Sequence, residues 1–397
     1  MGKYISPVII LLFILLQSNA YAGPLSPNPQ QANPEPKSSS FHFRPGFDAM
    51  ECEDIFRLNF AFLDTVLTNK FEGFLKGYQI YFRSPSVGLD NAADIWLRED
   101  SSVVIMLRGT TAKMESILED FYCAMVPAAG TVTLRKDKSF AYRLATDPRA
   151  TVHAGFLIGF VYLADQLQPK IKDLYAKGYR KFIVGGHSQG GAICYYVSAW
   201  LMQELSKGTM KDIMVKTYAS APPKMGNMYF AYDYDNANRS LWSFSIVNTE
   251  DPVPEMPLTT QQVDIDINEP NPLLNLMQRI QEMSLLKRFV INRKVNFKKM
   301  KKQARKSSEA YQQYLGRSLG GIIQQALPEM ILPAPVPTTY FVRPGVPITF
   351  SANNAYRAYC KNAPKYFHHG IDPYRFLLRQ YYSGLPDFES IVKEPAQ

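Results

Sequence analysis

The feature that most constrains the fold of this chain is a turn near its middle. The apolar run Lys181–Gly185 leads directly into Gly186-His187-Ser188-Gln189-Gly190, and a helix-compatible run rich in small residues continues from Gly190 to Leu205. A G-x-S-x-G match alone is weak evidence, but a strand before it and a helix after it place the serine on a strained bend at the end of a strand. The flanking glycines let strand and helix pass close together. The pattern therefore predicts Ser188 as an exposed nucleophile.

The order of elements around this turn favours an α/β fold. Val103–Leu107 is a short β-branched run that ends in a loop, and Ala154–Lys177 carries apolar residues at helical spacing. Two further strand-like runs follow the turn, Ile213–Ala219 and Trp242–Val247. Strands that alternate with helices imply a mostly parallel sheet covered on both faces, with catalytic groups at the carboxyl ends of the strands.

Residues 262–345 interrupt this alternation. Asn271–Lys306 is a long, basic, helix-compatible stretch, Ser308–Ala326 has a second helical pattern, and Pro328–Pro347 is rich in proline. We interpret this region as a helical insertion between sheet elements of one domain that spans residues 41–397. It precedes the adjacent histidines His368 and His369.

Composition and charge narrow the class of protein. A chain of 397 residues with 46% hydrophobic and 20% charged side chains is typical of a globular protein with one large domain or two small ones. The run Lys287–Lys306 contains ten Lys or Arg and no Asp or Glu. Its ten positive charges exceed the formal net charge of +9 of the whole chain, so the excess of basic residues is confined to this run. A chain adapted throughout to nucleic acid is therefore disfavoured, and no nucleic-acid partner is expected.

The amino terminus resembles an export signal. Lys3 precedes the apolar run Val8–Leu16, and Ala20-Tyr21-Ala22 offers small residues for cleavage. An uncleaved anchor is the alternative, although a membrane span needs about 20 apolar residues. Residues 23–40 are rich in Pro, Ser and Gln and predict a flexible segment. We expect a secreted, periplasmic or extracellular protein after cleavage of residues 1–22 near Ala22.

Export would expose the cysteines to oxidising conditions. Cys52, Cys123, Cys194 and Cys360 can form two disulfides in three ways. Cys194 lies in an apolar helical pattern, which favours a buried free thiol. The sequence leaves the pairing of the others open.

A serine nucleophile needs a base, and the base needs an acid that holds its tautomer. In the strand–turn–helix arrangement the chain order is serine, acid, histidine. Only His368 and His369 follow Ser188 in the sequence. One of these two adjacent residues is therefore the candidate base.

The candidate acid lies just after a predicted strand. Asp251 follows Trp242–Val247 closely, and Glu250 is the alternative, whereas Asp264 and Asp266 lie too far into the insertion to be favoured.

The run from Asp264 to Asn268 also resembles the start of a calcium loop. It lacks a glycine at the sixth position, which is Glu269, and an acid at the twelfth, which is Asn275. We therefore predict no metal site.

These residues together resemble the class 3 lipases, an α/β-hydrolase family of triacylglycerol lipases and related acyl esterases. The similarity covers most of residues 100–260 and the tail near residue 369. The matching segments are Arg108-Gly109-Thr110 against F-R-G-T, His153-Ala154-Gly155-Phe156 against H-x-G-F, Gly186–Gly191 against G-H-S-L-G-G, Ala221–Asn227 against G-x-P-R-V-G-N, and Asn248–Pro257 against N-x-x-D-P-V-P-x-x-P. Five segments in the same order are far more specific than the serine turn alone.

The resemblance implies further roles. Thr110 would contribute its backbone N–H and hydroxyl to an oxyanion hole, and the N–H of Gln189 would be the second donor. Thr111–Asp120 would occupy the place of the family's short lid, with an apolar face formed by Met114, Ile117 and Leu118. A surface helix docked permanently on the core is the alternative.

The tail of the chain resembles the family's H-x-x-x-x-Y pattern through His369 and Tyr374. This similarity favours His369 over His368 as the base, and it implies a structural role for His153. Two departures leave the substrate open: Gln189 replaces the usual leucine and adds polarity to the floor of the acyl pocket, and the insertion after Asp251 is longer than in compact members.

The sequence thus predicts an exported serine hydrolase that cleaves lipid esters without a cofactor. Ser188 would form an acyl-enzyme, and water activated by His369 would release it. The alternatives are an esterase for soluble or carbohydrate-linked acyl groups, and a membrane-surface binding protein that only retains the scaffold. The run Lys287–Lys306 interleaves cations with Phe289, Val295 and other apolar residues, which suits an anionic membrane surface or, alternatively, a solvated helix face.

Overall fold

The computed structural model describes residues 42–60, 62, 75–205, 208, 210–239, 241–364, 366–383 and 385. The predicted signal, residues 1–22, and the segment 23–40 lie outside the described residues. Among the residues that are described, no helix combines the length and the apolar character that crossing a membrane requires.

A central sheet organises the described part of the chain. It has seven strands, of which the last five in spatial order are parallel and the first two antiparallel. In spatial order they are β1 (Tyr78–Arg83), β2 (Ala93–Arg98), β3 (Ser102–Leu107), β8 (Lys181–His187), β9 (Met214–Ser220), β10 (Ser243–Asn248) and β11 (Val346–Phe350). Two small antiparallel pairs lie apart from it, β4 (Met125–Pro127) with β7 (Thr151–His153) and β5 (Ala129–Arg135) with β6 (Lys138–Arg143). The four predicted strands lie within two residues of β3, β8, β9 and β10.

Helices surround this sheet and fill the insertion. The helices described are α1 (Ala49–Phe60), α2 (Met114–Phe121), α3 (Ala154–Ala176), α4 (Gln189–Trp200), α5 (Met228–Asn238), α6 (Pro272–Glu282), α7 (Leu285–Lys294), α8 (Phe297–Tyr311), α9 (Leu319–Ala326), α10 (Asn354–Tyr359) and α11 (Ile371–Tyr381). Short π-helical turns continue α4 over Leu201–Leu205 and α8 over Gln312–Ser318.

The sheet buries both of its faces. Along β3, Val103, Ile105 and Leu107 join one apolar core, and Val104 and Met106 join the other. Successive side chains of a strand point to opposite faces, so an uninterrupted apolar run requires cover on both sides. Helices α3 and α4 cover one face, and α1 and α11 cover the other. The predicted α/β-hydrolase fold is confirmed.

Buried ion pairs fix α1 to α11 and to the sheet. The carboxylate of Glu53 accepts hydrogen bonds from the guanidinium groups of Arg375 and Arg379, both at 2.8 Å. The Glu51 carboxylate lies 2.5 Å from the buried ammonium group of Lys216 in β9. Burial favours a higher pKa for Glu53, but the two arginines hold it below its ordinary value. Because a buried charge without its partner is strongly destabilising, this network fixes the helix that follows the candidate base.

The insertion consists of separate helices. The stretch Asn271–Lys306, expected to be one long helical region, is divided near Ser284 and Asn296 into α6, α7 and α8. The side chain of Asn296 accepts a hydrogen bond from the backbone N–H of Lys299 at 2.8 Å, and this cap begins α8. The charge pattern does not reveal these breaks, because lysine and arginine are compatible with every part of the helices.

The end of the insertion returns to the body of the protein. Ile323 of α9 is buried, and Gly320 lies so close to the ring of Tyr122 that a Cβ there would come within 2.9 Å of the hydroxyl. The chain then forms β-bridges from Ile331 to Thr133 and from Val336 to Met125. Helix α9 therefore packs directly against α2, the segment in the place of the family's lid.

All four cysteines lie in the described part of the chain, and all four are free thiols. Cys52, Cys123 and Cys194 are buried, and Cys360 is half-buried. None of the pairings that the sequence left open is formed. Burial raises the pKa of Cys123 to about 12, so its thiol is protonated and unreactive at neutral pH.

Candidate active site

The candidate nucleophile occupies a strained bend. Ser188 lies between β8 and α4 with φ 60° and ψ −125°, a conformation that is unfavourable for a residue with a side chain. Its N–H donates to the carbonyl of Ser220 at 3.0 Å. A Cβ on Gly186 would lie 2.6 Å from the carbonyl carbon of Gly190, and a Cβ on Gly190 would lie 2.2 Å from the carbonyl oxygen of Leu107. Only glycine fits at these two positions, as the sequence pattern predicts.

A continuous hydrogen-bond chain connects the serine to a carboxylate. His369 Nε2 lies 2.8 Å from Ser188 Oγ, and His369 Nδ1 lies 2.9 Å from Asp251 Oδ2. An ionised carboxylate only accepts hydrogen bonds, so Nδ1 carries the proton and Nε2 is free to accept one from the serine hydroxyl. The structure thus brings together Ser188, His369 and Asp251.

The carboxylate of Asp251 is held by several donors. It is buried just beyond the end of β10, where it accepts a hydrogen bond from the Tyr374 hydroxyl at 2.7 Å and one from the N–H of Val253 at 2.9 Å. Burial favours a higher pKa, but the hydrogen bonds from His369 and Tyr374 keep the pKa of Asp251 below its ordinary value. The acid is therefore ionised at neutral pH. The sequence analysis used Tyr374 only as a motif position and did not anticipate this contact.

The two alternative triad residues have other partners. His368 Nδ1 lies 2.8 Å from the hydroxyl of Tyr356 in α10. Glu250 pairs with Arg357 at 3.1 Å on the surface. Neither side chain contacts Ser188, so the geometry selects His369 and Asp251 from the residues that the sequence left open.

A second histidine, which the sequence analysis did not single out, supports the first. His187 Nε2 lies 2.6 Å from the backbone carbonyl of His369, and His187 Nδ1 lies 2.8 Å from Ser220 Oγ. A carbonyl oxygen only accepts, so Nε2 carries the proton. Burial lowers the pKa of His187 to about 3, which keeps the ring neutral. This contact joins the residue before the nucleophile to the backbone of the base.

His153 has a structural position, as the resemblance implies. Its Nδ1 accepts a hydrogen bond from the N–H of Phe156 at 3.3 Å and caps α3. The ring stacks on Phe156 with centroids 4.1 Å apart. Burial lowers the pKa of His153 to about 3.

Two backbone N–H groups lie beside the nucleophile. β3 pairs with β8 so that Leu107 is opposite Gly186, and the loop after β3 therefore passes the serine turn. A Cβ on Gly109 would lie 2.8 Å from the carbonyl of His187. Within the described residues, the N–H of Thr110 and that of Gln189, at the start of α4, have no acceptor. Backbone N–H groups without acceptors can stabilise a developing negative charge, and the Gln189 N–H also lies at the positive end of the α4 dipole.

The Thr110 hydroxyl, by contrast, is already engaged. It donates to Asp120 Oδ2 at 2.7 Å. A hydroxyl has a single proton, so while Asp120 is ionised this hydroxyl does not reach a substrate oxygen. The expectation that the Thr110 hydroxyl donates to the oxyanion is therefore corrected: it can do so only when Asp120 is protonated. Burial raises the pKa of Asp120 to about 7, and once protonated this carboxyl can itself donate to Thr110.

The segment in the place of the lid is a docked helix in this structure. Ile117 is buried, Leu118 packs against the core, and Met114 remains 39% exposed. Helix α2 lies between α3 and α9, and the side-chain amide of Gln189 donates to its Ser116 carbonyl at 3.4 Å. Ser188 is partly exposed in this arrangement.

The acidic residues of the predicted insertion have structural contacts. Asp264 pairs with Lys301 at 3.1 Å and Arg305 at 3.0 Å, both in α8. The Asp266 carboxylate accepts hydrogen bonds from the Thr338 hydroxyl at 2.5 Å and the Gln262 N–H at 2.7 Å. In the described ranges, no group of three or more His, Cys, Asp or Glu side chains is arranged to hold a metal ion.

Comparison with known proteins agrees with this geometry. The sequence model of the family Lipase (class 3) matches residues 104–261. The matched segment contains Thr110, Ser188 and Asp251 and is similar to the class 3 lipase family. No curated protein matches the chain.

Several solved lipase structures are similar to this one. The Rhizomucor miehei lipase propeptide complex, in a deletion mutant, is 19% identical, with 54% of this chain and 64% of that chain covered and a TM-score of 0.40. The lipase from Rhizopus microsporus var. chinensis is 21% identical, with 61% and 79% covered and a TM-score of 0.40. Lipase II from Rhizopus niveus is 19% identical, with 53% and 74% covered and a TM-score of 0.39. The chain thus spans less than two thirds of the first of these proteins.

Proposed function

We propose that this protein is a secreted serine hydrolase that cleaves carboxylic esters of lipids. The observation that carries the proposal is the chain of hydrogen bonds from Asp251 through His369 to Ser188, beside two backbone N–H groups that have no acceptor among the described residues. The class 3 lipase match over residues 104–261 supports a lipid ester as substrate. The export pattern of residues 1–22 supports action outside the cell.

In the acylation step, His369 Nε2 accepts the proton of Ser188 as Oγ attacks the ester carbonyl carbon. The carbonyl oxygen becomes an oxyanion and receives hydrogen bonds from the N–H groups of Thr110 and Gln189, each of which is worth about 3 to 4 kcal/mol by analogy with other serine hydrolases. Asp251 stabilises the imidazolium that forms. The proton then moves from His369 to the departing alcohol oxygen.

Deacylation repeats this sequence with water. His369 Nε2 accepts a proton from water, whose oxygen attacks the acyl carbon, and the same N–H groups hold the second oxyanion. Collapse breaks the bond to Ser188 Oγ, which recovers its proton from His369. The tautomer set by Asp251 therefore serves both half-reactions.

The proposed substrate is presented by an anionic lipid surface. Exposed apolar and cationic residues of the insertion support this view, because such a mixture suits contact with an anionic lipid surface. The rate of hydrolysis of esters of graded acyl length, measured below and above their solubility limit, distinguishes a lipase from an esterase for soluble substrates. A rate that increases sharply above the solubility limit supports a lipase, and an unchanged rate supports an esterase for soluble substrates.

The nucleophile is tested by covalent labelling. A fluorophosphonate should add one phosphonyl group to Ser188, observed by peptide mass spectrometry, and p-nitrophenyl ester hydrolysis should stop in parallel. Ser188→Ala should lose both label and activity while its thermal melting curve stays close to that of the wild type. Substantial hydrolysis by the alanine variant would disprove the assignment, and failure of the wild type to react would favour a binding protein on a hydrolase scaffold.

A further inference from the structure

Helix α7 presents an apolar surface that no described part of the chain covers. Leu285 is 74% exposed, Leu286 75%, Phe289 63% and Val290 48%. Residues four apart on a helix are neighbours, so these four side chains form one continuous surface, which we call the docking patch. No residue of α7 with a described side chain is buried. An exposed apolar cluster of this kind indicates contact with another molecule.

Exposed cations lie within the same helix and along the next helix of the insertion. They are Lys287 in α7 and Lys298, Lys299, Lys302 and Lys306 in α8, and none of them forms an ion pair with any described residue. By contrast, Lys301 and Arg305 of the same helix bind Asp264. One side of α8 thus binds Asp264, which lies in the segment that follows the candidate acid in the chain. The other lysines of α8 are exposed to solvent.

We propose that α7 and α8 form a docking surface for an anionic lipid bilayer. The docking patch would enter the boundary between head groups and acyl chains, and the five lysines would contact lipid phosphates. This proposal rests on the proposed function, since an enzyme for lipid esters must reach substrates held in a membrane.

The chemistry of the surface favours a bilayer over other partners. Two copies of this chain would bring the two sets of lysines together, and like charges oppose association. A nucleic acid would engage the lysines but not four exposed aliphatic and aromatic side chains. An anionic bilayer offers phosphate groups and an apolar interior within a few ångströms of each other, which matches both halves of the surface.

The position of the insertion connects docking with the active site. The chain enters the insertion from the loop of Asp251, and α9 at its far end packs on α2, next to the oxyanion loop. Docking through α7 and α8 would therefore hold the carboxyl edge of the sheet near the lipid surface.

Cosedimentation with vesicles tests the proposal. Phosphatidylcholine vesicles with increasing phosphatidylglycerol should bind the wild type progressively more tightly, and added salt should weaken this binding. Replacing Lys298, Lys299 and Lys302 by Gln should weaken binding to anionic vesicles by about tenfold or more. Leu286→Ser with Phe289→Ser should weaken binding to a similar degree, with less dependence on salt. All five positions are exposed, so these changes should leave thermal melting nearly unchanged.

A matched control removes the same charge elsewhere. Lys136, Lys172 and Lys211 are exposed and lie far from α7 and α8 in the sequence. Their triple Gln variant should bind vesicles like the wild type. Equal binding by both triple variants would overturn the proposal, as would loss of a dimer in the Leu286→Ser and Phe289→Ser variant without loss of vesicle binding.

The two proposals fail in different ways. Vesicle binding is measured with Ser188→Ala as well, and hydrolysis of a soluble ester is measured with every insertion variant. Docking by Ser188→Ala together with an inactive wild type would disprove only the proposed function. Full activity on the soluble ester without vesicle binding by the wild type would disprove only the docking surface.

Discussion

The body of the sheet and the insertion use charged residues in opposite ways. In the body, the carboxylates of Glu53 and Asp251 are buried and receive hydrogen bonds from fixed partners at 2.7 to 2.9 Å. In α8, lysines such as Lys298 and Lys302 are exposed and have no ionic partner among the described residues. The first arrangement orients each carboxylate through defined hydrogen bonds, and the second provides positive charge without a defined partner.

This difference separates two kinds of function. A buried charge with defined partners can orient a proton transfer, and its loss should affect every substrate. An exposed cation interacts with any nearby anionic surface and is screened by salt. We therefore expect substitutions in the body to lower turnover on all esters, and substitutions in α7 and α8 to affect only substrates in a membrane.

The largest expected effect in the body concerns the two adjacent histidines. His369→Ala should lower the rate on a soluble ester by about 10⁶-fold, as loss of the base does in a comparable triad. His368→Ala is the matched control, because His368 contacts Tyr356 and not the serine. It should retain most of the activity, measured as kcat/KM on a short p-nitrophenyl ester. A larger loss in His368→Ala than in His369→Ala would reverse their roles.

Asp251→Asn should have the next largest effect, about 10⁴-fold, because an amide favours the wrong tautomer of the base. Burial, fold and the serine turn should be unchanged, so circular dichroism should match the wild type. Glu250→Gln is the matched control, since Glu250 pairs with Arg357 at the surface. An Asp251→Asn variant with wild-type kcat would mean that another residue is the acid. The buried charge of Asp251 would then not be needed for turnover, contrary to the comparison above.

The catalytic centre was more predictable from sequence than its supporting contacts. Ser188 was identifiable because the close approach of strand and helix requires glycine at Gly186 and Gly190, and glycine is visible in the sequence. Chain order limited the base to His368 or His369 and favoured Asp251 over Glu250 as the acid, and the family resemblance favoured His369. The hydrogen bonds of His187 to the His369 carbonyl and of Tyr374 to the acid join residues more than one hundred positions apart. No local pattern specifies such contacts.

The insertion was predictable in composition but not in structure. Its charge and helical character were evident, but the breaks near Ser284 and Asn296 were not, because Ser284 makes no side-chain capping hydrogen bond and the cap of Asn296 is a single local contact. The edge strand β1 was also not identified, because it exposes part of its length and lacks a strong apolar pattern. Exposure of the docking patch became apparent only from the packing of α7.

Asp120 differs from the carboxylates of Glu53 and Asp251, which have several fixed partners. It provides the smallest predicted effect. Asp120 is half-buried, but its Oδ1 atom is enclosed, and its Oδ2 atom accepts a hydrogen bond from the Thr110 hydroxyl. No described cation pairs with it, so burial of the carboxyl raises its pKa to about 7. Its neighbour Glu119 is buried, which raises the pKa of Glu119 well above its ordinary value. Between about pH 6 and about pH 8, Asp120 should therefore change from mostly protonated to mostly ionised.

This titration should determine whether the Thr110 hydroxyl assists catalysis. Below the pKa of Asp120 the protonated carboxyl can donate to Thr110, which frees the threonine proton for the oxyanion, and above it the carboxylate accepts that proton. The ratio of kcat/KM between wild type and Thr110→Val should thus be about tenfold or more near pH 6 and fall toward one near pH 8. Because the two proteins differ only at residue 110, any pH dependence that they share cancels in this ratio. In an Asp120→Asn background the amide donates at every pH, so the same ratio should not vary, and a ratio that varies equally in both backgrounds would exclude Asp120 as the cause.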